Sequence, residues 1–265
     1  MSQTSYSLST QAGIAGGKVF SATVENVISY VNPADEIGFG TWVQKISGQD
    51  NGVEKFDSPN SLSIGLAVLD QNQNYIDEAT ADDSYPINKA VGVCPTGIRW
   101  ARVDQAVTPE DSVYVRHCNT LSVSTLVMSG AGSGDFVASN SIAITVNGTA
   151  ITGSPLAYDT SNAVTLAALA TLLQATDEIL TAVSDGSHTI TITSVNAALP
   201  VVNLTITGGA TQATDTQTET VAGVAGSTQG YLRKDSDSNK ATLLTGVKFL
   251  NSSDSNNLVQ LAINI

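Results

Sequence analysis

A chain of 265 residues with a formal net charge of −13 is long enough to bury a core, and phosphate backbones would repel it. Its 11 Lys and Arg residues form no basic cluster, so we expect no nucleic-acid partner. No apolar run reaches the roughly 18 residues that cross a bilayer, and the N-terminus lacks a signal-peptide pattern, so neither a membrane partner nor secretion is expected. Two cysteines are too few for a disulfide framework or a four-thiolate zinc site.

The N-terminal part of the chain is predicted to form an arm followed by strands. Residues 1–17 are mostly small and polar and are predicted to be an arm. Alternating or apolar segments between turn signals predict strands near residues 24–31, 40–46, 63–68, 90–94, 98–103 and 112–116.

Within this part, the stretch SYVNPADEIGFGTWV (29–43) contains turn signals and large aromatic residues but no nucleophile, base or metal ligand. Asn32-Pro33 predicts a tight turn. Phe39 and Trp42 supply bulky apolar area, either for the core or for contact with a partner. The sequence leaves both alternatives open.

The middle of the chain differs from its flanks in charge. All Lys and Arg residues lie at or before Arg116 or at or after Arg233, while residues 117–232 carry only acids. Gly-rich or polar linkers (129–135 and 208–230) bound the same segment. Such a shift in composition predicts an inserted domain over residues 129–226.

Periodicity predicts the fold of this insert. SIAITVNGTAIT alternates and then turns at Asn147-Gly148, which predicts a hairpin. Ser161 precedes apolar residues at helical spacing, which predicts a capped helix. HTITITSV and NLTITGG alternate again, so the insert is predicted to be a small α+β domain of the order ββαββ.

The C-terminal segment supplies two more predicted strands, over residues 243–250 and 258–265. Together with the first flank they give about eight strands without a helical pattern. The fold class is therefore mainly β: a β-sandwich resembling a jelly roll, formed by residues 18–128 and 227–265, with the inserted ββαββ domain between them.

The side chains that could take part in catalysis or metal binding do not combine into an active site. His117 and Cys118 are neighbours on a predicted strand and so point to opposite faces, and His188 stands alone in a turn. Asp235, Asp237 and Asn239 have the alternate spacing that opens a calcium loop, but Lys240 replaces the glycine that such a loop requires. We therefore expect no enzyme, no cofactor and no metal site.

Residues 13–46 (GIAGGKVFSATVENVISYVNPADEIGFGTWVQKI) resemble the start of the structural cement, or capsid decoration, proteins of tailed bacteriophages. SIGLAV (63–68), KAVGVCPTGIRWARVDQAVTPEDSVYVR (89–116) and residues 230–265 resemble later elements of the same family, although Glu110 replaces a usual glycine. The resemblance covers residues 13–128 and 226–265.

This resemblance implies a structural virion protein that binds the outer capsid surface and bridges major capsid protein subunits. It also implies a homodimer or homotrimer on a local symmetry axis, made in the host bacterial cytoplasm. The candidate partner-contact residues are Tyr6, Phe20, Phe39 and Trp42. The alternative is a virion fibre or carbohydrate-binding β-module for host-surface adhesion.

Overall fold

The structure, a computed structural model, describes residues 14–19, 26–69, 84–129, 136–208 and 213–265. Tyr6 and Phe20 and most of the predicted arm lie outside these ranges. In the described part, strands predominate over a single helix, and the predicted mainly-β class is confirmed. No helix there is both long and apolar enough to span a bilayer.

The strands of the first flank are β1 Asn26–Val31, β2 Ile37–Gly38, β3 Trp42–Lys45, β4 Val53–Lys55, β5 Ser63–Ala67, β6 Ser84–Tyr85, β7 Ala90–Arg102 and β8 Tyr114–Arg116. Those of the middle segment are β9 Val123–Ser129, β10 Ser141–Val146, β11 Thr149–Ala150, β12 Leu156–Ala157, β13 Ile179–Ser184, β14 Thr189–Ser194, β15 Val202–Thr207 and β16 Thr214–Val221, with α1 at Asn162–Gln174 between β12 and β13. The last flank adds β17 Leu232–Arg233, β18 Ala241–Leu243, β19 Val247–Phe249 and β20 Leu258–Ile263.

The flanks share one seven-stranded antiparallel sheet, in the order β19-β20-β7-β5-β3-β4, with β1 also paired to β7. The strand β7 is 13 residues long and has room for two partners end to end. Its C-terminal half pairs with β20, where Leu258 lies opposite Arg102, and its N-terminal half pairs with β1, where Val31 lies opposite Ala90. The C-terminal strand thus completes a sheet begun more than 150 residues earlier.

Both faces of this sheet are covered, because adjacent residues of a strand point to opposite sides. Trp42 belongs to an apolar cluster shared with Val115 and Leu232, from the three-stranded sheet β17-β8-β18. Val43 belongs to a second cluster, shared with Tyr85 of the two-stranded sheet β2-β6. The predicted β-sandwich is therefore confirmed, and a small second layer lies on its other face.

The middle segment forms two four-stranded sheets and the helix around a separate cluster that runs from Leu126 to Ala213. Ser161 caps α1, as predicted, since its hydroxyl accepts from the Val164 amide at 3.3 Å. Leu166, Leu169 and Leu173 on one face of the helix are buried in the cluster.

This segment contains more strands than the predicted ββαββ order. The strand β9 precedes the predicted boundary at residue 129, yet pairs with β14 and β16. Leu126 and Met128 of β9 belong to the middle cluster for the same reason. The division into a host sandwich and an inserted domain stays a proposal, and these contacts move its boundary to the start of β9.

Candidate interaction surface

The two described aromatic residues that the sequence offered for partner contact are buried. Phe39 is 3% exposed and packs edge-on against Tyr85, with ring centroids 4.9 Å apart. Trp42 is 4% exposed, and its indole N–H donates to Ser63 Oγ at 2.6 Å. Their positions favour the core alternative. Contact with a partner by any of the four aromatic residues stays a prediction, with Tyr6 and Phe20 outside the described residues.

The turn that follows β1, predicted from Asn32-Pro33, depends on the buried side-chain amide of Asn32. Asn32 is 0% exposed; its Nδ2 donates to Asp35 O at 2.8 Å and to Tyr85 O at 3.3 Å. Its Oδ1 accepts from the Lys89 amide at 3.0 Å. The Asn-Pro signal predicted the turn but not the bonds to Tyr85 and Lys89, which lie more than 50 residues away in the chain. Asn32 therefore fixes the end of β1 against its neighbours.

The strand β1 itself is exposed along almost its whole length. Val27, Ile28 and Val31 are 45%, 41% and 44% exposed, and Ile87, beside the end of the strand, is 48% exposed. Most apolar strands bury one face, so a strand with apolar residues exposed on both faces is unusual. Asn26–Val31 also contains neither a charge nor a proline, the devices that usually protect an edge strand from pairing with other chains.

On the outer side of β1, backbone amide groups point away from β7. Val31 N points away from β7 and donates to Asn51 O at 2.8 Å. The backbone direction alternates along a strand, so Ser29 and Val27 direct their amides to the same side. Between residues 26 and 30, β7 is the one strand of the described ranges that pairs with β1. We call Asn26–Val31 with this outer side the β1 edge.

The candidate calcium loop instead takes part in a network of ion pairs. Asp237 accepts from Arg116 at 2.9 Å and from Arg233 at 3.1 Å, and Asp235 accepts from Arg233 at 2.8 Å. Asp104, only 7% exposed in its side chain, pairs with both arginines. Burial raises the pKa of Asp104, while its hydrogen bond to Arg116 and the charge of Arg116 lower it. The carboxylates of Asp235 and Asp237 are therefore engaged in ion pairs with arginine.

His117 and Cys118 lie beside this network and are both buried. Burial lowers the pKa of His117 to about 4 and raises the pKa of Cys118 to about 11. At neutral pH the imidazole is thus uncharged and the thiol protonated, a state that suits packing and not nucleophilic attack. His188 lies exposed in the turn whose Asp185 carboxylate accepts from three backbone amides.

Two carboxylates share a cavity of about 530 Å³ near β3 and β4. Gln44 Nε2 donates to Glu54 Oε1 at 2.9 Å and also to Asp57, and burial raises the pKa of both acids. The shared amide ties the loop after β4 to β3, so this pair has a structural explanation. Among the described residues, no group of three or more His, Cys, Asp or Glu side chains is arranged to hold a metal ion.

Comparison with known proteins identifies the family. Residues 2–176 match the family described as structural cement protein (E217 gp24/Pam3 gp6), so the match includes residues 129–176, which the resemblance had left out. No curated protein matches the chain.

Two solved structures match the chain. A chain of the capsid of Myoviridae phage XM1 is 10% identical, with a TM-score of 0.46, over 97% of this chain and 94% of that one. A chain from Mycobacterium phage Patience is 13% identical, with a TM-score of 0.23, over 91% of each chain. From its family match, the chain belongs to the phage structural cement protein family and has the role of a capsid-associated structural protein of the virion.

Proposed function

We propose that this protein binds the outer surface of a tailed-phage capsid and stabilises it by bridging major capsid protein subunits, without catalysis. The observation that carries the proposal is the β1 edge, an uncharged, apolar and exposed strand on a protein of a capsid-associated family. An edge of this kind is suited to a partner that adds an extended segment to the sheet.

Strand addition would use two features of the β1 edge. The outward amides of Val27 and Ser29 supply main-chain hydrogen bonds to an added strand, which hold it in register. Val27, Ile28 and Val31 supply apolar contact on both sides of that strand. The occupant we propose is an extended segment of the major capsid protein.

Charge favours the outer surface over the interior. A chain of net charge −13 would be repelled by the packaged DNA but not by an outer shell facing solvent. We propose that synthesis takes place in the host cytoplasm and that the protein binds after the shell has formed.

Preferential binding to the assembled shell explains how modest contacts stabilise a capsid. A ligand that binds the lattice but not free subunits stabilises the lattice by about 2.7 kcal/mol per site at a hundredfold excess over Kd. A homodimer or homotrimer on a local symmetry axis would present equivalent surfaces to several subunits and gain avidity.

The direct test compares particles with and without this protein. Depleted particles should assemble but release DNA at a lower temperature and after milder osmotic shock, and adding the purified protein should restore both properties. Isolated capsid subunits should leave the protein unbound, and cross-linking on restored particles should join it to two different capsid subunits. Depleted particles as robust as complete ones would overturn the proposal. Binding to host cells instead of particles would favour the adhesion alternative.

A further inference from the structure

A cavity of about 570 Å³ lies in the middle segment, between the start of α1 and the turn that joins β13 to β14. The short stretch that begins at Phe136 forms a third wall. Aromatic, hydroxyl, amide and imidazole groups line the cavity: Phe136, Tyr158, Ser161, Asn162, Ser187 and His188. We call it the α1 cavity. Its volume lies within the range of roughly 300–1,000 Å³ that is typical of small-molecule sites.

The side chain of Asn162 joins the three walls of the α1 cavity. Its Nδ2 donates to Ser187 O at 2.7 Å, and its Oδ1 accepts from the Phe136 amide at 3.1 Å. Asn162 is itself the first residue of α1, directly after the capping residue Ser161. The walls are therefore tied together by contacts of the fold, so a ligand would not have to assemble them, and that lowers the cost of binding.

The turn between β13 and β14 is held in shape by one carboxylate. Asp185 Oδ1 accepts from the backbone amides of Ser187, His188 and Thr189 at 2.8 Å, 2.9 Å and 2.9 Å. The turn is thus fixed from below, while the side chains of Ser187 and His188 are exposed at the cavity. This wall supplies a hydroxyl group and an imidazole ring at defined positions.

The aromatic part of the wall is anchored in the core of the middle segment. Phe136 is 2% exposed and belongs to the middle cluster. Tyr158 is half-buried and packs against the same cluster, while it also lines the cavity. A tyrosine ring combines a large apolar face with a polar hydroxyl at its tip. The cavity therefore has a fixed aromatic surface beside its hydroxyl, amide and imidazole groups.

We propose that the α1 cavity is a binding site for a neutral saccharide. A sugar ring carries C–H groups that pack against an aromatic face such as that of Tyr158, and hydroxyl groups at its rim that both donate and accept hydrogen bonds. The hydroxyl groups of Ser161 and Ser187 can also donate and accept, and an imidazole such as that of His188 has two ring nitrogens for such bonds. Apolar surface with a few convergent polar groups is the usual composition of a small-molecule site.

Other classes of ligand fit the α1 cavity less well. A wholly apolar molecule would remove water from the polar groups of the wall without replacing their hydrogen bonds, which costs free energy. An ionic ligand is best held by charge-assisted hydrogen bonds, and the described residues of the wall include no carboxylate, lysine or arginine. An extended peptide is typically bound at a sheet edge, whereas this cavity lies between a helix start and a turn.

The test uses the purified full-length protein and no capsid, because the α1 cavity shares no residue with the β1 edge. An array of neutral oligosaccharides built from hexoses, deoxyhexoses and N-acetylhexosamines, with acidic oligosaccharides of uronic acids beside them, identifies the bound sugars. Saturation-transfer NMR then gives their affinities. We expect a neutral saccharide to bind with a Kd on the order of 1 mM. Tyr158→Ala and His188→Ala should each weaken its binding at least about tenfold, equivalent to about 1.4 kcal/mol.

Tyr158→Phe keeps the ring and should keep most of the affinity, and Thr149→Ala, a truncation on the exposed strand β11 outside the cavity, should bind as the wild type does. The unfolding midpoint of each variant shows whether it is folded. His188 is exposed, so its variant keeps the test valid if Tyr158→Ala is unstable. Binding of no neutral saccharide, binding of acidic saccharides alone, or full affinity in a folded His188→Ala variant would each overturn the proposal.

Discussion

Thr120 and Val224 exchange two main-chain hydrogen bonds, each 3.0 Å long, where the chain leaves the flanking sandwich and where it returns. Asn119 N adds a third bond to Val224 O, at 2.7 Å. The points where the chain leaves and re-enters the sandwich are therefore held together by main-chain hydrogen bonds. In a two-residue β-hairpin, the two residues that flank the turn also exchange both main-chain hydrogen bonds. The pair Thr120 and Val224 has this geometry, so residues 121–223 can be replaced by a tight turn.

We expect a variant with Asn-Gly in place of residues 121–223 to stay soluble and to keep a β-type circular dichroism spectrum. The reason is that the middle cluster contains no residue before Leu126 or after Ala213, so the deletion removes a whole core and leaves the flanking cores intact. The measurement is solubility and cooperative thermal unfolding.

The control is a shorter deletion that joins Met128 to Ser227 through Gly-Ser. It keeps β9 but removes its partners β14 and β16, so apolar Leu126 and Met128 would be exposed and the variant should aggregate. If both deletions behave alike, the boundary at the start of β9 is wrong.

A second prediction concerns the β1 edge. Ser29→Pro removes an amide that points away from β7, so the native sheet keeps its hydrogen bonds while an added strand loses one and meets the proline ring. We expect binding to depleted particles to weaken at least about tenfold, equivalent to about 1.4 kcal/mol. The measurement is a co-sedimentation titration.

Ser29→Ala keeps the amide and should bind as the wild type does. The unfolding midpoint of Ser29→Pro in the free protein must be measured alongside, because a large drop would mean that the strand itself is damaged. Undiminished binding by a folded Ser29→Pro variant would rule out strand addition at this edge.

The third prediction concerns Asp104, which is shared by Arg116 and Arg233. Asp104→Ala leaves two buried guanidinium groups with one fewer counter-charge and should lower the free energy of unfolding by about 3 kcal/mol. Asp235→Ala is the matched control: its side chain is 50% exposed and the change should cost under about 1 kcal/mol. Urea denaturation of both variants gives the comparison, and equal losses would show that burial of the network does not matter.

The fourth prediction is a pH dependence from His117. Because the pKa of the buried imidazole is lowered from 6.5 to about 4, the unfolded chain binds the proton more tightly than the folded one. The stability due to the neutral imidazole is complete above pH 6.5 and is lost as the pH falls towards 4, by about 3 kcal/mol in total.

His117→Gln, which cannot titrate, should lack this loss. The raised pKa values of Asp104, Glu54 and Asp57 act in the opposite direction, since protonation of those acids is favoured in the folded state. The informative quantity is therefore the difference in free energy of unfolding between wild type and His117→Gln at each pH. A constant difference from pH 4 to 7 would contradict the prediction.

The sequence alone determined the mainly-β class, the capped helix at Ser161 and the resemblance to cement proteins, because strand alternation, caps and turns are local patterns. It predicted a unit in the middle of the chain from the absence of Lys and Arg, but it placed the start of that unit after β9. The alternation of residues in β9 is the same whether the strand pairs with the flanks or with β14 and β16. Only the observed strand pairing therefore assigns β9 to the middle unit.

Tertiary structure also decided which uncharged residues are exposed. TITITS was predicted to be a strand, whereas TDTQTETV lies in the segment 208–230, which was predicted to be a linker and instead forms β16; the outward threonines of the two strands could form one face only after β13, β14, β9 and β16 had been assembled in register. The sequence around Val27 and Ile28 likewise predicted an ordinary strand. Phe39 and Trp42 have larger apolar side chains and were therefore the candidates for partner contact. Burial depends on which elements pack over a residue, a long-range property that local sequence does not contain: the aromatic pair went into the core, and the valine and isoleucine of β1 were left at an edge.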